Sequence, residues 1–192
     1  MVDFYTGSVL SGKSKLLSDF LNILNEKQFW LLQRDIPNHK GEFKIHSRVP
    51  GTQEFTPNLI VTKNTNLFEK FEELENKSEI KLVCCDEIQF FTENHVDQLI
   101  EIQEKYGVVV KCFGISETHD NKTWDTIKYL KTKVNYTCRI QSGCHYCDKP
   151  AVTNIRADLN SETQLIDSIN DGESEKYYGC CLECHNKKYK NI

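Results

Sequence analysis

The chain has 192 residues, enough for one main domain with its own core and room for a small satellite module. Apolar residues make up 39% and charged residues 27%, which excludes an intrinsically disordered chain, and a net charge of −4 argues against a broad basic surface for non-specific nucleic-acid binding. No run approaches the roughly 18 apolar residues of a membrane span, and Met1 to Tyr5 carries no basic leader, so the expectation is an untagged cytoplasmic protein with neither membrane nor nucleic acid as partner.

In chain order, the opening Val2-Asp3-Phe4-Tyr5-Thr6-Gly7 reads as a short buried strand, because an apolar-aromatic run stops at a glycine. From Lys13, the spacing of Leu16, Leu17, Phe20, Leu21 and Leu24 predicts a helix with one apolar face, and Phe29 to Leu32 predicts a second strand. Gln33 to Pro57 is rich in Pro, Gly, His and charge and reads as a long surface excursion. A short strand at Leu59 to Thr62, a helix through Leu67, Phe68, Phe71 and Leu74, and an apolar strand from Ile80 to Cys85 follow. A helix over about Glu93 to Lys105 and a strand from Val108 to Ile115, apolar on both faces, complete the alternation. Strands alternating with helices imply an α/β fold with a mostly parallel sheet covered on both sides. After Tyr136 the periodicity gives way to cysteines, so a boundary near Arg139 divides a phosphate-loop domain, residues 1–138, from a cysteine-rich one, residues 139–192.

Between the first strand and the first helix, Gly7-Ser8-Val9-Leu10-Ser11-Gly12-Lys13-Ser14 matches G-x-x-x-x-G-K-[ST]. Glycines let successive N–H groups face phosphate oxygens, Lys13 reaches the outer phosphates, and Ser14 is placed to ligate Mg²⁺. ATP and Mg²⁺ are therefore the expected cofactors of this segment. Asp86 and Glu87 end the fourth strand-like run, at the carboxyl edge where open α/β sheets bind ligands. An aspartate there supports magnesium, which leaves Glu87 to take a proton from an attacking hydroxyl.

Nine cysteines in this context favour reduced thiols and a metal over disulfides: Cys84, Cys85 and Cys112 sit in strand-like runs, and Cys144-x-x-Cys147 and Cys181-x-x-Cys184 form two pairs. Four thiolates suit one tetrahedral, structural Zn²⁺ with no open ligand position. His145, Cys180 and His185 are close enough in sequence to be alternative ligands and are kept outside the first shell.

The block Asp86-Glu87-Ile88-Gln89-Phe90-Phe91 resembles the D-E-x-Q-F-F motif of the zinc-containing thymidine kinases of animal cells, bacteria and large DNA viruses. The resemblance implies that Glu87 is the base acting on the 5′-hydroxyl of a deoxynucleoside, that Gln89 belongs with the ATP-binding residues, and that one of Phe90 and Phe91 walls the nucleoside pocket. It extends through Lys149-Pro150-Ala151, Arg156 and Glu175-Lys176-Tyr177, similar to the loop that closes over the nucleoside in that family. Tyr177 falls at its pocket tyrosine. The family also implies a homotetramer or homodimer.

Several family features are altered. Ser8-Val9-Leu10 stands where the family has Pro-Met-Phe, so Val9 replaces a methionine of the base pocket. Asp35-Ile36-Pro37 replaces Asp-x-Arg, with Arg34 or Arg48 as substitutes for the lost arginine. Ile115-Ser116-Glu117-Thr118-His119 replaces Leu-Asp-x-x-Phe, which makes His119 the aromatic partner of the base, and Asn154 stands where threonine is typical. The resulting expectation is ATP-dependent phosphorylation of thymidine or deoxyuridine. Two rivals stay open: a phosphate-loop NTPase whose zinc ribbon binds nucleic acid, and a catalytically weakened relative.

Overall fold

The computed structural model describes residues 1–35, 43–45, 52–156 and 177–189. Its frame is a six-stranded sheet of β1 (Val2–Thr6), β2 (Phe29–Arg34), β3 (Leu59–Val61), β4 (Leu82–Asp86), β5 (Val109–Gly114) and β6 (Tyr136–Arg139), in the order β3-β2-β4-β5-β1-β6. Every neighbouring pair is parallel. A parallel sheet needs cover on both faces, and the strand sequences supply it by alternation. In β4, Val83 and Cys85 join one core with Trp30 and Leu32 of β2, while Leu82 and Cys84 join another with Phe29 and Leu31.

The first core is closed by α2 (Leu67–Glu72), α3 (Glu93–Tyr106) and α4 (Asp125–Lys131), which contribute Leu67, Phe71, Val96, Leu99, Ile102, Ile127 and Leu130. The second is closed by α1 (Lys13–Asn22) through Leu17 and Leu21, with the Phe20 ring tilted against the rings of Tyr5 and Phe113. Each fully buried Leu or Phe stabilises the fold by about 1.5–3 kcal/mol relative to exposure, so both faces need their helices. Thr92 and His95 form a capping box that starts α3, and Gly107 at φ 68 ends it in the left-handed region that suits glycine.

A second, two-stranded antiparallel sheet pairs β7 (Thr153–Arg156) with β8 (Tyr177–Cys180), and α5 (Leu182–Tyr189) follows it. Its small core holds Cys144, Ile155, Cys180 and Cys181. No helix among the described residues is long and apolar enough to cross a membrane.

Three sequence expectations are corrected. The second strand runs on through Gln33 and Arg34, both buried, because the pairing with β3 and β4 continues past Leu32. The excursion from Gln33 to Pro57 is not wholly superficial: Ile45 is buried and pairs with Phe55, whose ring meets Phe29 edge-on at 6.0 Å. The second helix stops at Glu72, before Leu74, whose N–H tightens onto the Phe71 carbonyl at 3.1 Å. Residues 36–42 and 46–51 of that excursion, with Ile36, Pro37 and Arg48, and the segment from 157 to 176, with Glu175 and Lys176, lie outside the described residues.

Candidate active site

β1, β4 and β5 all end at one edge of the sheet, and the groups with chemistry gather there. Gly7 must be glycine: a Cβ would stand 2.4 Å from Ser11 Oγ and 2.6 Å from the Ile140 carbonyl oxygen. The loop then turns through Leu10 at φ 64 and Gly12 at φ 93, and α1 starts at Lys13 with no side chain capping its first N–H groups. Ser14 lies in that first turn. Unclaimed N–H groups at a helix start suit an anion, so the loop fits the phosphates of a nucleotide. The Lys13 ammonium folds across the loop, donating to the carbonyls of Ser8 at 2.8 Å and Gly7 at 3.1 Å. Burial lowers its pKa, while the charges of Glu87 and Asp86 pull it back up.

Asp86 is buried at the last position of β4, and its carboxyl is pushed up to about 7 by burial and then by the charge of Glu87. The Glu87 backbone N–H and Lys13 oppose that shift. Glu87 has φ 53 and ψ 45, a left-handed conformation that costs a non-glycine residue about 1–2 kcal/mol. It opens a 3-10 turn, Ile88–Phe90, that folds back under the sheet edge.

Gln89 explains how that geometry is held. Its side-chain NH₂ donates to the Glu87 carboxylate, and its Oε1 accepts from the backbone N–H of Ile115 at 3.1 Å. Gly114 leaves room for this contact, since a Cβ there would meet Gln89 Oε1 at 2.4 Å. The buried Gln89 amide thus ties Glu87 to the end of β5 and has its functional groups occupied within the protein.

The remaining wall residues distribute unevenly. Phe91 is core, edge-on to His95 at 5.7 Å, whereas Phe90 is half-buried and meets Trp124 edge-on at 5.2 Å. Trp124, which sequence reasoning passed over because it falls outside any motif, carries a buried Nε1 with no partner among the described residues. Ser116 is buried and shares a hydrogen bond of 2.7 Å with Thr6, joining the ends of β5 and β1. His119 and Tyr177 come together with ring centroids 6.2 Å apart. Arg156 is buried at the end of β7. Arg34 does not stand in for the absent arginine: its Nε donates to the Phe90 carbonyl at 2.9 Å and its Nη1 to the Val61 carbonyl.

The small sheet docks on the phosphate loop. Asn154 Oδ1 accepts from the Val9 N–H at 2.7 Å, while its Nδ2 lies 3.5 Å from the Glu117 carbonyl. Ser8 and Ser142 hydroxyls share a hydrogen bond of 2.7 Å, and a Cβ on Gly179 would strike Ser8 Oγ at 2.8 Å. Neither Ser142 nor Gly179 belongs to a motif, so only the folded chain reveals their part.

The cysteines Cys144, Cys147, Cys181 and Cys184 bring their four sulfur atoms within 4.8 Å of one another. Cys147 Sγ is 3.7 Å from the sulfurs of both Cys181 and Cys184. Thiolates about 2.3 Å from a tetrahedral zinc stand about 3.8 Å apart, so the donor set fits that ion. Burial works against ionising Cys144, but N–H donors from Cys181 and Tyr146 bring it down to about 6, whereas hydrogen bonding with Cys181 and Cys147 holds Cys184 up at about 12. The alternative ligands are turned elsewhere: His145 stacks on Tyr178 at 3.9 Å, the Cys180 thiol contacts the Cys181 carbonyl at 3.3 Å, and the His185 ring reaches His119 and Asn121.

A family model described as thymidine kinase matches residues 1–185. A thymidine kinase of Shouchella clausii (strain KSM-K16) is 28% identical over 185 residues, which covers 95% of this chain and 94% of that protein. One of Lactiplantibacillus plantarum is 26% identical over 180 residues, covering 93% of this chain and 91% of that protein. Among solved structures, the Pif1 helicase from Candida albicans aligns at 15% identity with a TM-score of 0.44, covering 73% of this chain and only 36% of the helicase chain.

Proposed function

The chain belongs to the thymidine kinase family, enzymes that phosphorylate a nucleoside, and from that premise we propose that it transfers the γ-phosphoryl group of ATP to the 5′-hydroxyl of thymidine or deoxyuridine. The observation that carries this reading is Glu87, strained into a left-handed conformation and fastened by Gln89 at the same sheet edge as Lys13. Glu87 accepts the 5′-hydroxyl proton as the O5′–P bond forms and the bond to the bridging oxygen of ADP breaks. Lys13 and the loop N–H groups offset charge on the phosphate oxygens. Mg²⁺, when bound, adds a further positive charge there, with Ser14 and Asp86 as its protein-side partners.

His119 and Tyr177 serve as the aromatic walls of the base site, with Phe90 beside them, and Asn154 and Arg156 support it from β7. Zinc is structural, and cytoplasmic residence and a homo-oligomeric assembly are part of the same reading. Val9 and His119 offer a smaller aliphatic and a more polar aromatic contact than methionine and phenylalanine. One methylene-sized contact is worth only about 1–3 kcal/mol of discrimination, so selectivity between bases shifts while transfer persists. Labelled transfer from ATP to a panel of nucleosides tests the assignment. Thymidine and deoxyuridine should both be phosphorylated, and Val9→Met with His119→Phe should raise kcat/KM for thymidine relative to deoxyuridine; an unchanged ratio would remove these two positions from the base pocket.

A further inference from the structure

The loop that carries His119 is held from outside its own strand. His185, 4% exposed in the first turns of α5 and adjacent to Cys184, places its Nε2 2.7 Å from the carbonyl oxygen of His119. A carbonyl can only accept, so Nε2 carries the proton and donates. The other ring nitrogen, Nδ1, lies 3.2 Å from Asn121 Nδ2, and the Thr153 hydroxyl donates to Asn121 Oδ1, which turns the amide so that its NH₂ faces the imidazole. Asn121 itself sits at φ 61, a left-handed position that asparagine tolerates better than most residues. β7, the loop and α5 are therefore joined by one run of hydrogen bonds, from Thr153 through Asn121 and His185 to the His119 backbone.

We propose that His185 is a positioning residue for the nucleoside site: it fixes the His119 backbone, and through it the imidazole facing Tyr177, to the cysteine-bound end of the chain. The inference rests on the reading of His119 and Tyr177 as walls of that site. The turn from Thr118 to Lys122 closes on its own hydrogen bonds, but without an outside anchor it could shift as a unit and carry His119 with it, and ordering it at binding would cost nucleoside affinity. His185 prepays that ordering in the free enzyme. It touches neither the phosphate loop nor Glu87 in any hydrogen bond described above, so its effect should fall on nucleoside binding and leave ATP binding alone.

The test compares His185→Ala and His185→Gln in the full, zinc-loaded chain. His185→Ala should raise the KM for thymidine by about tenfold, with kcat and the KM for ATP within about twofold of the wild type, the pattern of lost substrate positioning. His185→Gln, whose amide N–H can still reach the His119 carbonyl, should recover most of the loss. Amide hydrogen exchange over residues 116–124 should quicken in His185→Ala in the absence of any substrate, a readout that stands even if thymidine proves not to be the acceptor. Asn121→Gly, at a left-handed position where glycine is unstrained, breaks the same run at a residue distant in sequence from the cysteines and should also raise the thymidine KM. An unchanged thymidine KM in Asn121→Gly, or unchanged exchange over 116–124 in His185→Ala, would overturn the proposal, as would an equal rise in both KM values accompanied by loss of zinc from His185→Gln.

Discussion

At Asp86, the burial that positions the carboxyl also decides when it is charged. Its folded pKa of about 7 lies above the ordinary aspartate value, so the unfolded chain gives up this proton first as pH rises. Its contribution to stability is therefore greatest in acid and declines as pH climbs through its ordinary value toward about 7. In the proposed reading a magnesium nucleotide takes Asp86 as the carboxylate, so below that pH its binding displaces the proton. Calorimetric titration of Mg-ATP between pH 5.5 and 8 should show affinity falling as pH drops below about 7, approaching an extra factor of about ten per unit relative to Asp86→Asn, which has no proton to displace. Identical slopes for the two proteins would separate Asp86 from the metal site. Glu87 poses the complementary problem, of conformation rather than charge. Its motif was readable in the sequence, but its left-handed backbone and the Gln89 amide bridging it to Ile115 were not, because periodicity says nothing about φ or about which strand end a side chain meets. The same limit separated Phe90 from Phe91: adjacent aromatics look alike in a motif, and only the turn sends one into the core and leaves the other against Trp124.

Among the elements, those with strong internal patterns were the readable ones. β1, β4, β5, α1 and α3 have long apolar runs or repeated helical spacing and were found close to their observed bounds. α4 fully buries only Ile127 and Leu130 within seven residues, with Tyr129 half-buried beside them, and β6 is an exposed edge strand whose pairing with β1 is its main tie, so neither shows a periodic signal. β7 and β8 are four residues each and are organised by the cysteines around them. Because β7 and β8 press Asn154 and Gly179 against the phosphate loop, loss of the metal should be felt at the nucleotide site as well. Cys184→Ser should lower zinc from about one per chain, and it should raise the KM for ATP several-fold while the far-ultraviolet signature of the six-stranded sheet persists. Elemental analysis that finds no zinc in carefully prepared wild-type protein would refute the metal assignment, and an unchanged KM for ATP in the zinc-free variant would uncouple the small sheet from the loop.

On the scale of the whole molecule, three separate stretches of sequence meet at one sheet edge: the phosphate loop after β1, the acidic turn after β4 and the His119 loop after β5. Parallel topology accounts for that convergence, since every strand points its carboxyl end the same way. The family match over residues 1–185 establishes a nucleoside-phosphorylating lineage, and in the proposed reading Val9, Ser116, His119 and Asn154 are where this chain departs from the family's site. Of the two candidate substitutes for the family arginine, Arg34 donates to the carbonyls of Phe90 and Val61, and Arg48 lies outside the described residues, so the proposed transfer rests on Lys13, the loop N–H groups and Glu87. The most direct test is the rate at which label passes from ATP to the 5′-hydroxyl of thymidine in the wild type and in Glu87→Gln, at saturating concentrations of both substrates. Labelled thymidine monophosphate should form in the wild type, and kcat should fall by roughly 10²- to 10⁴-fold in the variant with ATP binding preserved; a variant that turns over at the wild-type rate, or a wild type that releases only inorganic phosphate, would contradict the account.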